Sequence, residues 1–377
     1  MKKIMLSVCF LYAFIFYSSS FVFAFNEHPT LAIGSTAPDF NLPGVDGKNY
    51  TLESFKDAKI LVIAFICNHC PTSQAYEQRL IKLASDYAEK GVRVVAINPN
   101  SPGSLEYYEL GWSDVGDSFA DMKIRAKEKQ FNFPYLYDGD KEIVANQYGP
   151  ISTPHVFIFD KDRILRYNGR IDDMENPAKQ PHSQDARNAI NALLDNKEVP
   201  VAVTKVFGCS IKWLEKKDWM TKAETKWSNE PVNIDTISIT GVSELLKNNS
   251  DKLRLINFWN TNNNTSTAGF AGFVTLSRIY VQRDFEFISI CTNNIKDKDK
   301  VLKFLQAKES SGANYLLTEV DKNKMIATVD AKWNGALPFT ILIEPGGKIV
   351  YSKQGSVDAE ELRKIIFNDP FIGRLYK

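Results

Sequence analysis

The sequence predicts an α/β protein built from two tandem domains, each a central mixed sheet flanked by helices. The chain has 377 residues, a length that suits two ordinary domains. Apolar, strand-like runs alternate with segments of helical periodicity, as expected for a sheet covered by helices. One alignment matches landmarks of the two halves, namely Leu61 with Leu255, Pro154 with Pro338 and Asp160 with Glu344. We therefore expect a long-period duplication and not a solenoid.

Composition limits the classes of function that need to be considered. Charged residues make up 24% and hydrophobic residues 44% of the chain, as in globular proteins, and the formal net charge is +1. Nothing in this balance favours binding to nucleic acid or to an anionic membrane surface, so neither is expected as a partner.

The first 24 residues have the pattern of a secretory signal peptide. Lys2 and Lys3 precede an apolar run at residues 4–17, and small residues follow up to Ala24. This pattern predicts cleavage after Ala24 and an exported, periplasmic protein. The alternative is an uncleaved anchor, since residues 4–25 could just span a bilayer.

Residues 25–213 are assigned to a first domain because strand and helix patterns alternate there. An apolar run at residues 59–65 predicts a strand buried on both faces, directly before Cys67. The other predicted elements are a helix from Tyr76 to Tyr87, a strand at 92–97, a helix around Met122, a hairpin of 155–159 and 164–167, and a helix at 186–194.

Residues 236–377 are assigned to a second domain with the same plan. Its predicted elements are strands at 253–259 and 285–291, a helix around 270–276, a hairpin of 339–343 and 348–351, and a closing helix at 359–367. Residues 214–235, between the domains, are charged and aperiodic, so we expect a solvated linker.

The motif Cys67-Asn68-His69-Cys70 lies where the buried strand is expected to end and a helix to begin. The N-terminus of a helix presents unpaired N–H groups and the positive end of the helix dipole, which stabilise a thiolate. We expect Cys67, nearer to solvent, to have a lowered pKa and to attack a target disulfide. Cys70, one turn into the helix, would then resolve the mixed disulfide.

Other interpretations of the motif are weaker. A zinc site would need a second Cys or His pair at a suitable spacing, which the sequence lacks, so we expect neither a metal nor another cofactor. A permanent structural disulfide would close almost no loop and add little stability. His69 either stabilises the Cys67 thiolate, which would make the pair more oxidising, or simply faces solvent.

Thr153-Pro154 is the second candidate element, directly before the hairpin. A proline entering a strand needs a special local geometry, so this peptide bond is a candidate for the cis form. Beside the Cys pair, the Thr153 backbone would be free to pair with an extended substrate segment.

Three segments, Ala37-Pro38-Asp39-Phe40, residues 65–72 and residues 148–160, resemble the redoxin branch of the thioredoxin superfamily, which holds AhpC/TSA proteins and TlpA/ResA-like exported reductases. The resemblance covers residues 32–213, including the tail at 207–213. It implies a thioredoxin fold, with Cys67 as nucleophile, Cys70 as resolving thiol and Pro154 as the cis-proline. In the second half of the chain, residues 257–261 resemble the strand end before such an active site. The two Cys positions are aligned there with Asn263 and Ser266, and Pro338 keeps the cis-proline position. A thioredoxin-like domain without redox activity is therefore expected.

Two departures from the family pattern limit what the resemblance implies. A peroxiredoxin needs Thr or Ser three residues before its peroxidatic Cys and Pro four residues further back. Cys67 and Ile63 occupy these places relative to Cys70, which disfavours peroxidase activity. Thioredoxins also bury an acid near the Cys pair, and the strand at 61–66 offers none, so that role has no candidate.

Besides Cys9, which lies in the predicted signal peptide, two further cysteines lie outside the motif. Cys209 follows the last predicted helix of the first domain, and it is either a third thiol that exchanges with the Cys pair or, as the sequence favours, a small hydrophobic side chain in the interior. Cys291 lies in a predicted buried strand of the second domain and is expected to serve packing alone.

Three functions remain open. The first is an exported thiol–disulfide oxidoreductase that acts on protein thiols and disulfides and is reset by an upstream redox partner. The second is a thiol peroxidase, and the third is a non-enzymatic tandem binding module. The direction of electron flow also stays open, because His69 favours an oxidant and the resemblance to TlpA/ResA proteins favours a reductant.

Overall fold

The computed structural model of the protein describes residues 28–139, 141–319, 321–330, 332–373 and 375. The predicted signal peptide, residues 1–24, lies outside these residues. Within them, no helix is both long enough and apolar enough to cross a membrane.

The first domain contains a five-stranded mixed sheet. Its strands and those of two small ribbons are β1 (Asn41–Pro43), β2 (Asn49–Thr51), β3 (Ile60–Phe65), β4 (Val92–Asn98), β5 (Tyr135–Tyr137), β6 (Ser152–Thr153), β7 (His155–Phe159), β8 (Leu165–Gly169) and β9 (Cys209–Ser210). The order across the sheet is β5-β4-β3-β7-β8, with β3, β4 and β5 parallel and β7 and β8 antiparallel to their neighbours. Strands β1 and β2 pair with each other, as do β6 and β9.

Helices cover this sheet, and its central strand is buried on both faces. The helices are α1 (Pro71–Tyr87), α2 (Phe119–Lys129), α3 (Ile143–Tyr148) and α4 (Asp185–Leu194). All six residues of β3 are buried, because its side chains alternate between two apolar clusters, one with Val62 and the other with Ile63. The predicted fold class is confirmed, with the motif at the end of the central strand.

The second domain repeats the plan with a six-stranded sheet of order β10-β13-β12-β11-β14-β15. Its strands are β10 (Asp235–Ile237), β11 (Leu253–Trp259), β12 (Phe285–Cys291), β13 (Ala313–Leu317), β14 (Phe339–Ile343) and β15 (Ile349–Gln354). Its helices are α6 (Ile239–Leu246), α7 (Asn264–Ile279), α8 (Lys298–Ala307), α9 (Lys322–Val329) and α10 (Ala359–Asn368).

The segment between the domains, for which a solvated linker is expected, contains regular structure. It contains helix α5 (Lys217–Ser228), which has no buried residue and exposes 64% of Trp219. Since the helix buries no apolar stripe, the periodicity that would reveal it in the sequence is missing. Ile234 already belongs to the core of the second domain, just before the predicted start at residue 236.

A buried ion-pair group connects α1 and α2 to the chain in front of α2. The Arg125 side chain is fully buried, with Nε 2.6 Å from Glu77 Oε1 and Nη1 2.9 Å from Asp114 Oδ1. Two carboxylates around one guanidinium balance its charge with directional hydrogen bonds, so this group holds the start of α2 against α1.

We expect Arg125→Met to lower the free energy of unfolding by about 3–5 kcal/mol, because it leaves two buried carboxylates without their guanidinium. The measurement is urea denaturation followed by circular dichroism. Lys82→Met is the matched control, since Lys82 lies on α1 in an exposed pair with Asp86, and its effect should stay below about 1 kcal/mol. Equal effects of the two substitutions would contradict the assignment.

Candidate active site

Cys70, and not Cys67, stands at the N-terminus of α1. Helix α1 begins at Pro71, a residue suited to the first helical position because its missing N–H would have no partner there. Cys70 is therefore the N-cap, and its Sγ accepts the backbone N–H of Ser73 at 3.5 Å. The expectation that Cys70 lies one turn into the helix is wrong, because Pro71 sets the start of the helix.

Both sulfur atoms face Thr153. Cys67 Sγ lies 3.0 Å from Thr153 Oγ1, and Cys70 Sγ, in its thiol form, donates to the Thr153 carbonyl at 3.3 Å. The two sulfurs are within hydrogen-bonding reach of each other, and the structure describes both as free thiols. The motif and Thr153 are thus brought together as the sequence predicted.

The motif is closed off from solvent. Cys67, Asn68, His69 and Cys70 are each at most 2% exposed. The expectation that Cys67 lies near solvent is therefore wrong, and of the two interpretations of His69 the solvent-facing one is excluded. Two segments that are distant from the motif in sequence cover it: the loop that carries Asp117 and the strand β9.

Asp117 is a buried acid that the sequence did not reveal. Its Oδ2 lies 2.6 Å from His69 Nδ1, and its Oδ1 accepts the backbone N–H groups of Asn68 at 2.8 Å and His69 at 3.0 Å. Asn100 donates to Oδ2 at 2.7 Å. A buried acid therefore does lie close to the Cys pair, on a loop about fifty residues further along the chain and not on the strand at 61–66. No local signal marks it, because an Asp before Ser118 and a helix resembles an ordinary capping residue.

The electrostatics of His69 and Asp117 follow from this ion pair. Burial opposes protonation of His69, but the charge of Asp117 and its hydrogen bond outweigh burial and raise the His69 pKa. Burial likewise opposes ionisation of Asp117, but the charge and hydrogen bond of His69 outweigh it and lower the Asp117 pKa. A charged pair is therefore held beside the thiols.

The three neighbouring thiols differ in pKa. Burial raises the pKa of Cys67 well above its ordinary value. Burial acts on Cys70 in the same direction, but hydrogen bonds from the Cys209 and Cys67 thiols, followed by the His69 charge, hold its pKa well below the ordinary value. The expectation of a lowered pKa at Cys67 is thus contradicted, since the donors at the helix N-terminus and the neighbouring thiols converge on Cys70.

The loop at residues 107–117 is held from both sides. On the motif side, Ser113 Oγ donates to the Asn68 carbonyl at 3.1 Å, and Asn68 Nδ2 donates to the Gly116 carbonyl at 2.7 Å. On the other side it meets the second domain, where Arg363 Nη2 donates to the carbonyls of Leu110 at 3.1 Å and Ser113 at 3.0 Å.

The contact between this loop and the second domain is close. Arg283 donates to the Gly111 carbonyl at 2.5 Å and stacks on the Trp112 ring at 4.0 Å. A Cβ at Gly111 would lie 2.5 Å from the Ile279 carbonyl oxygen, so only glycine fits there. The second domain therefore supports the loop that delivers Asp117 to His69.

Thr153-Pro154 has a cis peptide bond, as predicted. The Thr153 backbone is however not free, because β6 pairs antiparallel with β9 and places Thr153 opposite Cys209. The expectation of an open edge at Thr153 is wrong for this structure, since residues of the chain's own tail, 207–213, fold back across the domain.

Cys209 lies beside the Cys pair and not in an apolar cluster. It is only partly buried, and its thiol is within hydrogen-bonding reach of the Cys70 sulfur. That hydrogen bond, followed by burial, raises the pKa of Cys209. The interpretation as a hydrophobic packing residue fails on this placement, whereas Cys291 is fully buried among core residues of the second domain, as predicted.

Cys67, His69 and Asp117 together form a group whose donor atoms lie within 4.8 Å of one another, close enough to hold a metal ion. The group is only partly satisfied by its own members, since the buried Nε2 of His69 has no hydrogen-bond partner among the described residues. His69 Nδ1 is bonded to Asp117, and Asp117 accepts two backbone N–H groups besides. Sequence spacing alone could not reveal the proximity of these three side chains.

The equivalent place in the second domain keeps the geometry without the thiols. Phe65 lies opposite His155 in the sheet, and Phe258 lies opposite Phe339. This register aligns the positions of Cys67 and Cys70 with Asn260 and Asn263, three residues before the positions expected from sequence. Ser266 corresponds instead to Ser73. The expected absence of a Cys pair from this site is unchanged.

Asn263 reproduces the hydrogen bonds of Cys70. Its Oδ1 accepts the Ser266 N–H at 2.9 Å, and its Nδ2 donates to the Leu337 carbonyl at 3.2 Å, directly before the cis bond to Pro338. An amide can fill this N-cap position and still reach the opposite strand. The second site is therefore a structural copy that cannot exchange disulfides.

Comparison with known proteins shows that residues 33–168 match the AhpC/TSA family. A thiol-disulfide oxidoreductase ResA of Geobacillus thermodenitrificans is 25% identical over 140 residues, which is 37% of this chain and 69% of the relative. A protein of Mycobacterium tuberculosis named as a peroxiredoxin is 25% identical over 146 residues, 33% of this chain and 90% of the relative. The crystal structure of a hypothetical protein from Sinorhizobium meliloti 1021 is 35% identical, with a TM-score of 0.44, and covers 49% of this chain and 96% of its own.

We expect Asp117→Asn to lower the His69 pKa by about 1–3 units, since it removes the adjacent opposite charge. NMR titration of the imidazole signals measures this, with the exposed His182 side chain as the internal reference. An unchanged His69 pKa would contradict the ion pair.

The same variant gives a defined pH profile of stability. Asp117 contributes above its ordinary pKa of 3.8, and its contribution is lost as the pH falls through its lowered folded pKa. His69 contributes fully below 6.5, and its contribution is lost as the pH rises through its raised folded pKa. The excess stability of wild type over Asp117→Asn should therefore be largest between pH 3.8 and 6.5 and should shrink on either side.

We expect Arg363→Leu to lower the free energy of unfolding by about 1–3 kcal/mol, because it leaves two loop carbonyls without their donor. Denaturation by urea measures this. Lys364→Leu is the matched control, since Lys364 is the next residue on α10 and its pair with Glu128 is exposed, at 3.8 Å. A similar loss in both variants would argue against the Arg363 contact as the support of the loop.

Proposed function

We propose that the protein is an exported thiol–disulfide oxidoreductase that exchanges disulfides with protein thiols through Cys67 and Cys70, and the match of residues 33–168 to the AhpC/TSA family supports this. The observation that carries the proposal is the placement of two free thiols at the start of α1, both facing Thr153 directly before the cis peptide bond to Pro154.

The proton shared by the pair explains how Cys67 can react despite its raised pKa. Two coupled thiols titrate as a unit, so the pair with one proton can place the negative charge on either sulfur. Moving the proton from Cys67 to Cys70 leaves Cys67 as the attacking thiolate. The positive charge of His69, held by Asp117, favours the ionised pair throughout.

The reaction then has two steps. Cys67 Sγ attacks one sulfur of a substrate disulfide, which forms a mixed disulfide and releases one substrate thiolate that takes the proton from Cys70. Cys70 Sγ attacks Cys67 Sγ, which forms the Cys67–Cys70 disulfide and releases the second substrate sulfur. Two electrons pass to the substrate, and the reverse sequence oxidises a substrate dithiol.

The direction in the cell depends on the reduction potential relative to the compartment. Stabilising the thiolate favours the reduced pair and hence an oxidant, whereas the resemblance of residues 32–213 to TlpA/ResA-like exported reductases supports a reductant. Equilibration with glutathione buffers measures the potential, where about 30 mV corresponds to about 1.4 kcal/mol for two electrons. Export is proposed from the signal-like residues 1–24, and an upstream redox partner would reset the pair.

A thiol peroxidase is the second candidate, favoured by the match to the Mycobacterium tuberculosis relative. Cys67 stands where a peroxiredoxin has Thr, so the peroxidase would have to use a different arrangement around Cys70. Consumption of hydrogen peroxide that persists in Cys67→Ser and is lost in Cys70→Ser would support it over the dithiol reaction.

We expect Cys70→Ser/Cys209→Ser to accumulate mixed disulfides through Cys67, because no neighbouring thiol remains to release the bound partner. Incubation with a disulfide-containing protein and non-reducing electrophoresis measures the adducts. Cys67→Ser/Cys70→Ser/Cys209→Ser is the control and should form none, since Cys291 is buried. Absence of a Cys67 adduct in the first variant would refute the proposed function.

A further inference from the structure

The strand β9 occupies the edge on which an extended substrate would lie. Strand β6 is only two residues long, and its partner is the chain's own Cys209–Ser210. A substrate that adds a strand to this edge would pair with Thr153 through its backbone and present a sulfur to the Cys pair. Cys209 does both, because it pairs with Thr153 and its thiol reaches Cys70.

The tail at 207–213 is built to hold this position. A Cβ at Gly208 would lie 2.1 Å from the Thr153 carbonyl oxygen, and the residue has φ +138°, so glycine alone allows the close approach. The tail is anchored on either side of β9. Phe207 packs against the apolar cluster that contains Val62, and Ile211 and Trp213 belong to the cluster that contains Ile63. Between these anchors, Gly208 and Ser210 are exposed.

Cys70 is the central sulfur of a three-thiol group. All three thiols meet at Thr153: Cys67 Sγ lies 3.0 Å from its Oγ1, Cys70 Sγ lies 3.3 Å from its carbonyl oxygen, and Cys209 is its partner in the β6–β9 ladder. The electrostatic influence of both neighbours on the Cys70 pKa agrees with this placement. A central sulfur can form a disulfide with either neighbour, and exchange between the two requires no movement of a second protein.

We propose that the segment from Phe207 to Trp213 is an internal substrate of this site, and that Cys209 is a third redox-active thiol that forms a disulfide with Cys70. This rests on the proposed function. After the Cys67–Cys70 disulfide has formed, the Cys209 thiolate attacks Cys70 Sγ. The Cys70–Cys209 bond forms, the Cys67–Cys70 bond breaks, and Cys67 leaves as a thiolate.

This exchange conserves electrons, since one disulfide replaces another. The oxidant is the substrate disulfide already consumed in forming the Cys67–Cys70 bond, and the proton of Cys209 passes to Cys67. Its consequence is that Cys67 is free to react again while the oxidising equivalent is stored at the partly exposed Cys209, where a partner thiol can collect it.

Peptide mapping of Cys67→Ser tests the proposal. Trypsin leaves Cys70 in residues 60–79, Cys209 in 206–212 and Cys291 in 284–296. After equilibration with oxidised and reduced glutathione, we expect a disulfide-linked pair of the first two peptides and a free thiol in the third. In a mixture of 15N-labelled and unlabelled protein, the linked pair should carry a single isotope, as an intramolecular bond requires.

Glutathione adducts on the separate peptides, with no linked pair, would overturn the proposal. The wild type distinguishes this outcome from failure of the proposed function, because a disulfide within residues 60–79 should still form there. Loss of that disulfide as well would overturn the proposed function itself.

Gly208→Ala provides a second, independent test. It should keep the Cys67–Cys70 disulfide and abolish the linked pair in the Cys67→Ser background, because the added methyl group collides with the Thr153 carbonyl. Gly355→Ala is the matched control, since Gly355 also has a positive φ, +86°, but open space around its Cβ position, and it should leave the linked pair unchanged. Retention of the linked pair in Gly208→Ala would refute the role of β9 in presenting Cys209.

Discussion

The Asp117 carboxylate fixes the conformation of the motif between Cys67 and Cys70. A carboxylate at 1% exposure is costly unless charges and donors surround it. His69 supplies the charge, while the backbone N–H groups of Asn68 and His69 and the Asn100 amide supply the donors. These contacts leave the chain before α1 a single conformation, in which Cys67 and Cys70 both face Thr153. The positive charge beside the thiols and the placement of the sulfurs thus have one origin.

The second domain has its clearest role in this network. Its own site repeats the hydrogen bonds of the first but has Asn260 and Asn263 in place of the cysteines, so the architecture is retained without the chemistry. Its helices α7 and α10 instead hold the loop that carries Asp117. Tyr107 and Leu110 from that loop pack against the core of the second domain. A domain that lacks a Cys pair at its own site is therefore still coupled physically to the thiols of its neighbour.

The sequence predicts those features that depend on local pattern. Buried strands such as β3 and β12 have apolar runs, and the motif lies at a strand end, so the fold class and the place of Cys67 and Cys70 could be derived. Asp117 could not, because its partner His69 is 48 residues away and loops carry no periodicity. The three-residue error at Asn263 has a similar cause, since strand register fixes the alignment and is not visible in apolar runs. Helix α5 was missed because it buries no residue.

The placement of Cys209 depends on tertiary structure in the same way. From sequence, a lone cysteine beyond the last predicted helix is most simply explained by packing. The pairing of Thr153 with Cys209 depends on a tail that crosses the domain. It also depends on Gly208, where any side chain would collide with the Thr153 carbonyl oxygen. A glycine required by a distant backbone cannot be distinguished in sequence from a glycine in an ordinary turn.

A closed site must open before it can act on another protein, and the two segments that close it differ in how firmly they are held. The loop with Asp117 is held by a buried ion pair, by several buried hydrogen bonds and by the second domain. Strand β9 contributes a ladder of two residues between the anchors Phe207 and Ile211, and Gly208 before it and its own Ser210 are exposed. Local opening starts where the fewest groups are buried, so this short stretch between the anchors is expected to leave first. Its departure uncovers the Thr153 edge, which is the side that both sulfur atoms face.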